Sequence, residues 1–260
     1  TAFFEASPAA SLTALSVGLK VDADALLPPI VKALENGQLN VNDPAVTRRL
    51  LRLNAVVGVV AEVTDGRVRS LGITCALCHS TVDDSVAPGI GRRLDGWPNL
   101  DLNVGAIVGL SKSPVVAPFL AEFAQWGPGK YDARHHAFDG MNLLLRHSPS
   151  IPVVIPPAYG LENVGFETYT ADGPISYWNA YVAITQMGGQ GSFSDPRIGL
   201  TVSQTPDLVT PKLAALFAYQ RGLAAPPPPP GSFNEAAAQR GQAVFNDPAL
   251  GLGRCSRCHM

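Results

Sequence analysis

Apolar residues recur at helical spacing in several stretches of this chain. In "NDPAVTRRLLRLNAV", Leu50, Leu51, Leu53 and Val56 mark an apolar side. Asp43 is placed to cap that helix and Pro44 to take its first position. "DADALLPPIVKALENG" carries acidic residues early, then spaced apolar positions, then Gly37 as a stop. Further helices are predicted near 101–110 and 114–125, over 175–187 ending at Gly188-Gly189, and over 205–223 stopping at Gly222. The Ala-rich "SFNEAAAQRGQAVFND" predicts another, capped by Ser232 or Asn234. The pattern changes in "VGVVAEVTDGRVRSLGIT", where two β-prone runs flank Asp65-Gly66, a strong hairpin signal. "SPSIPVVIPPAYG" holds Pro149, Pro152, Pro156 and Pro157 and must be extended.

Pro226 to Pro230 predict a polyproline II rod roughly 15 Å long, which marks a boundary between two modules. With 25 Gly and 23 Pro among 260 residues and only 15% charged side chains, the chain reads as compact, with long Pro-braced loops. A net charge of −2 without a basic block argues against a nucleic-acid partner. The longest apolar run, "NAVVGVVAEV", is broken by Gly58 and Glu62 and falls short of the roughly 20 residues a membrane helix needs. A start at Thr1 is what a processed, exported protein shows, and also what a trimmed chain shows.

All four cysteines lie in two C-x-x-C-H motifs, "CALCH" at Cys75 to His79 and "CSRCH" at Cys255 to His259. Two thiols at this spacing can each add to one vinyl group of a haem, and the adjoining imidazole then binds the iron. Ribbon-type zinc sites place their cysteine pairs roughly 15–20 residues apart, whereas most of this chain separates these two. A thioredoxin-like pair would start a helix in a βαβ unit, which the pattern does not show. Covalent haem (haem c) at two attachment sites is therefore the expectation.

On these motifs the chain resembles the bacterial c-type cytochromes, and more narrowly the di-haem group that includes di-haem cytochrome c peroxidases. In "NEAAAQRGQAVFNDPALGLGRCSRCH", Gly241 and Phe245 match the first helix of such a module. "APGIGRRLDG" is similar to the loop after the attachment site, with Pro88 as the residue that steadies His79, and "TPKLAALFAYQRGL" looks like the closing helix. The resemblance implies a mainly α fold. A first cytochrome c-like haem domain with long loop insertions and a small β-hairpin would span 1–223. A Pro-rich linker would follow over 224–231, then the start of a second such domain over 232–260. It also implies a periplasmic location and a redox partner protein.

His79 and His259 are the expected iron ligands from the motifs. For the opposite face of the first haem the candidates are Met141, Met187, His135, His136 and His147. Met187 is preferred. It ends a helix in the Gly-rich "TQMGGQG", and family methionine ligands occupy that place in the chain order. Its alternative role is to fill a gap in the core. Arg92 and Arg93 offer guanidinium forks for haem propionates, or stand solvated. Trp97 and Trp178 line the haem pocket or pack in the core, and Tyr177 and Tyr181 fall on one helical face.

The expected function is periplasmic electron transfer by a c-type cytochrome. The alternative is a di-haem peroxidase-like or oxygenase-like oxidoreductase with an open haem face, to which the long stretch 97–205 would contribute a pocket. Met260 cannot bind the haem held by its neighbour His259, so the chain is expected to continue, and an exposed second haem would favour self-association. No carboxylate pair, catalytic triad or phosphate loop stands out.

Overall fold

The structure, a computed structural model, describes residues 14–110, 114, 117–131, 152–166, 173–197, 199–249 and 255–257. It falls into two compact units, Thr1–Ala224 and Ala225–Met260.

The first unit is mixed α/β. Strand β1 (Val21–Asp22) precedes helices α1 (Pro28–Glu35) and α2 (Pro44–Arg52). Each helix has proline in its first turn, and the Asp43 carboxylate caps α2 by accepting from Ala45 N–H at 2.7 Å. Next come β2 (Val59–Thr64) and β3 (Arg67–Ile73), paired antiparallel about Asp65-Gly66. Both turn residues have positive φ, 52° and 70°, as a tight hairpin turn requires. The short turn α3 (Ala76–His79), which holds the first C-x-x-C-H motif, follows, then β4 (Ser80–Val82), β5 (Ile90–Gly91) and β6 (Arg93–Asp95). Helices α4 (Val104–Gly109) and α5 (Leu120–Phe123) lead to β7 (Lys130–Tyr131) and β8 (Val153–Val154).

The described strands form five two-stranded sheets: β1–β5, β2–β3, β4–β6, β7–β8, and β9 (Phe193–Asp195) with β10 (Leu200–Val202). The expectation of a mainly α, cytochrome c-like fold is thus corrected to a mixed α/β architecture. The cause is visible in the residues after Cys75. Gly and Pro interrupt the chain too often for long helices, and the short runs between them satisfy their backbone groups by pairing as strands of two or three residues.

The main core gathers Val17, Leu50, Leu51, Ala55, Ile90 and Leu102, all nearly inaccessible, with Leu77 and Cys78 of α3 packed against it. Each such aliphatic side chain larger than Ala contributes roughly 1.5–3 kcal/mol by leaving water. Gly18, with φ +80°, lets the chain pass Asp101, whose carbonyl oxygen would lie 2.1 Å from a Cβ built there.

A second core forms where α6 (Ile175–Tyr181), continued as a π-helix over Val182–Gln186, meets β9 (Phe193–Asp195), β10 (Leu200–Val202) and α7 (Leu213–Arg221). Tyr177 and Tyr181 share one helical side, and both rings meet Phe193, at 5.2 and 5.5 Å. Beside them Asp195 is 3% exposed. It accepts from Tyr177 Oη and from the Arg197 guanidinium, with Nε at 3.0 Å from each carboxylate oxygen. The Arg197 hydrogen bonds, aided by Tyr177, lower the Asp195 pKa from 3.8 to about 2. A depressed carboxylate pKa stabilises the fold above the unfolded value, and that contribution is lost as pH falls through the folded one. Stability should therefore decline between about pH 4 and pH 2. Asp195→Asn should flatten this acid limb and cost about 2 kcal/mol at neutral pH, read by urea denaturation across pH.

The second unit carries the five-proline run and α8 (Glu235–Phe245), capped by Asn234 accepting from Ala237 N–H at 2.8 Å. Every residue of α8 is exposed. No helix among the described residues is long and apolar enough to cross a membrane.

Candidate functional site

The C-x-x-C-H turn is held from four sides. Below it, Gly58 approaches so closely that a Cβ would lie 2.1 Å from Leu77 N, while its carbonyl accepts from Thr74 N–H at 2.9 Å. Asn99, 2% exposed, donates through Nδ2 to the carbonyls of Gly18 and Leu77 at 2.9 and 3.3 Å. Its backbone N–H donates to Cys78 O at 2.8 Å. Gly96 N–H donates to His79 O at 2.9 Å. Asp95, next to Gly96, accepts from Ser80 Oγ at 2.6 Å, from Arg93 Nε at 2.6 Å and from Tyr219 Oη on α7. Partial burial would raise the Asp95 pKa, but these hydrogen bonds outweigh it and hold the carboxyl below its ordinary value.

The fourth contact is to the imidazole. His79 Nδ1 lies 3.0 Å from the Pro156 carbonyl. A carbonyl only accepts, so Nδ1 carries the proton and Nε2 keeps its lone pair. Burial lowers the His79 pKa, which favours the neutral, ligating ring. A metal-binding histidine has this arrangement, with one nitrogen oriented by a second group and the other free to bind.

Cys75 caps the turn and Cys78 lies three residues on, both half-buried free thiols. Burial raises both pKa values, and beside Cys75 the Cys78 thiol is pushed up to about 11. A dithiol redox pair needs the opposite shift, a lowered pKa at the attacking sulfur. Among the described residues no three His, Cys, Asp or Glu side chains gather to hold a metal ion.

Large apolar side chains lie exposed next in sequence to the groups that hold the turn. Ile73 is two residues before Cys75, Trp97 follows Gly96, Leu100 follows Asn99, and Val154 is two residues before Pro156. Leu100 and Val154 are 53% and 59% exposed. Apolar side chains exposed this near in sequence to the groups that hold an imidazole suit a flat, apolar ring carrying a metal. The residues present therefore fit a haem, with Cys75 and Cys78 to tether it and His79 Nε2 to bind its iron.

Pro88 is exposed in the turn between Ala87 and Ile90, followed by Gly89 at φ +78°, a Pro-Gly turn. The carbonyl that reaches His79 is that of Pro156, not Pro88. Arg92 pairs with Asp83 at 3.6 Å and Arg93 with Asp95, so both guanidinium groups already face carboxylates of their own chain. Trp97 meets Tyr159 edge-on at 5.8 Å. Trp178 meets Tyr177 and Tyr181 edge-on in the second core, at 5.2 and 5.6 Å.

Met187 is half-buried and directly follows the π-helix, its N–H donating to Val182 O at 3.0 Å. None of the described contacts brings its side chain to His79. Met141, His135, His136 and His147 lie outside the described residues. Of the second motif, Cys255 is exposed in a 3₁₀ turn over Cys255–Arg257, while Cys258 and His259 lie outside the described residues.

Pro156, Asn99, Gly58 and Asp95 were not singled out by the sequence. Only Pro156 carried a hint, since its Pro-rich segment had to be extended and thus able to present a carbonyl. Comparison with known proteins finds no matching family model, no matching curated protein and no matching solved structure.

Proposed function

We propose that this chain is a covalent haem-binding electron carrier, a c-type cytochrome in its attachment chemistry though not in its fold. The observation that carries the reading is the Pro156 carbonyl at His79 Nδ1 inside a C-x-x-C-H turn, which leaves Nε2 to bind iron. Cys75 and Cys78 would form thioethers, and Ile73, Trp97, Leu100 and Val154 would be covered by the ring. The bound haem would supply a one-electron couple; the protein's part is to hold the imidazole, exclude water with apolar side chains and fix the turn rigidly. Cys255, Cys258 and His259 would hold a second haem by the same chemistry. Met187 would supply a thioether ligand to the same iron as His79. The proposal places the protein in the periplasm with a redox partner protein.

The test is export of the full chain in a host with the haem-attachment machinery. A haemochrome spectrum that survives denaturation and acid extraction, with reversible one-electron reduction, is the expected result. Colourless protein with free thiols overturns the reading. A high-spin ferric protein that turns over peroxide would instead favour the oxidoreductase alternative. His79→Ala should leave the covalent attachment in place and change the spin state of the iron.

A further inference from the structure

We propose that the hydrogen bond between Tyr131 and Gln186 is a latch that holds Met187 at the iron, making Tyr131 a positioning residue. The inference rests on the reading of Met187 as a haem ligand and deepens it.

Tyr131 Oη donates to Gln186 Oε1 at 2.6 Å, joining residues that are 55 apart in sequence. Gln186 is the last residue of the π-helix, and Met187 is the next. On its other side Tyr131 belongs to β7, whose register places Lys130 opposite Val154 and Tyr131 opposite Val153. One residue beyond that register, Ile155 N–H donates to Gly129 O at 2.9 Å, and the next residue is Pro156. The strand pair that carries the Pro156 carbonyl to His79 therefore also carries the hydroxyl that grips Gln186. Tyr131 is itself braced by the ring of Trp126, 6.0 Å away and 1% exposed.

The π-helix explains why a latch is needed. A π turn holds an extra residue relative to an α turn and is intrinsically the less stable form. Relaxation to α geometry would rotate the following residue by about 100° around the helix axis and carry Met187 sideways. A hydrogen bond on Gln186, from a strand that cannot follow, opposes that rotation. Downstream, Gly188 has φ +72° and Gly189 N–H donates to Ala183 O at 2.7 Å. Gly191 N–H donates to Gln204 Oε1 at 3.0 Å. The loop beyond Met187 is thus anchored, and the Gln186 side chain is where the register of the π turn is held from outside.

The experiment uses the full, haem-loaded chain carrying Cys255→Ala and Cys258→Ala, so that only the first attachment site is filled. Tyr131→Phe and Gln186→Ala are compared with this parent for the sulfur–iron charge-transfer band of the ferric protein and for the rate of cyanide binding. Cyanide competes for the face that the thioether occupies. Each variant should weaken the band and speed cyanide binding about five- to tenfold, the size of one lost hydrogen bond. The double variant should add little to either single change, because both remove the same bond. Gln186→Ala leaves the Tyr131 packing untouched and serves if Tyr131→Phe matures poorly. A parent with no sulfur band removes Met187 from the iron and overturns the latch with it. A parent with the band, and both variants matching it in band and cyanide rate, overturns the latch alone.

Discussion

Replacing Cys75 and Cys78 together by alanine should abolish covalent haem at the first site. In a chain that also lacks Cys255 and Cys258, bound haem should fall from one per chain to none after denaturation. The effect is complete because the two thiols are the only groups in the turn able to form a thioether, and they sit on a single turn, Cys75 at its cap and Cys78 in α3. The imidazole alone would retain haem only while the protein stays folded. Each single replacement leaves one sulfur and should give partial attachment. Haem staining on a denaturing gel, with mass spectrometry of the intact chain, reads all three variants. Full covalent loading in the double variant would remove these cysteines from the site.

Gly58→Ala should be the most damaging single substitution near the site, destabilising the fold by about 3–5 kcal/mol. Two costs add. Gly58 has φ +74°, a conformation that alanine adopts at a penalty of about 1 kcal/mol or more. The new methyl would also lie 2.1 Å from Leu77 N and 2.3 Å from Leu77 Cα. These are backbone atoms, and no side-chain rotation relieves the overlap. Gly66 separates the two costs. Its φ of +70° is similar, yet nothing lies within 4 Å of a Cβ there. Gly66→Ala should therefore cost only about 1 kcal/mol. Urea midpoints of the two variants measure the difference, and equal midpoints would mean that the C-x-x-C-H turn does not press on Gly58.

Elements that rest on neighbouring residues were legible in the sequence. Asp43 and Pro44 announce α2, and Asp65-Gly66 announces the hairpin, because capping and turn geometry are decided within four residues. The cysteine spacing marks the C-x-x-C-H turn for the same reason. What escaped the sequence is set by contacts between distant residues. Strands as short as Ile90–Gly91 or Lys130–Tyr131 have no periodicity to read, so the mixed α/β character stayed hidden. Pro88 stood nearer to His79 in the chain, but the carbonyl comes from Pro156, 77 residues away, because that segment is extended and paired through β7. The π-helix before Met187 was also invisible, since its composition is that of any amphipathic helix.

The spread of the groups around His79 fixes an order of events during synthesis. The thiols leave the ribosome well before Pro156, and the Tyr219 hydroxyl that meets Asp95 comes 124 residues after its partner. At a usual elongation rate of roughly 5–20 residues per second, Tyr219 follows Asp95 by roughly 6–25 seconds. Throughout that interval the newborn polypeptide offers its sulfurs without their final surroundings. A thiol-directed reagent would meet a loose, accessible peptide first, and the hydrogen bonds of Pro156 and Tyr219 close around the turn afterwards.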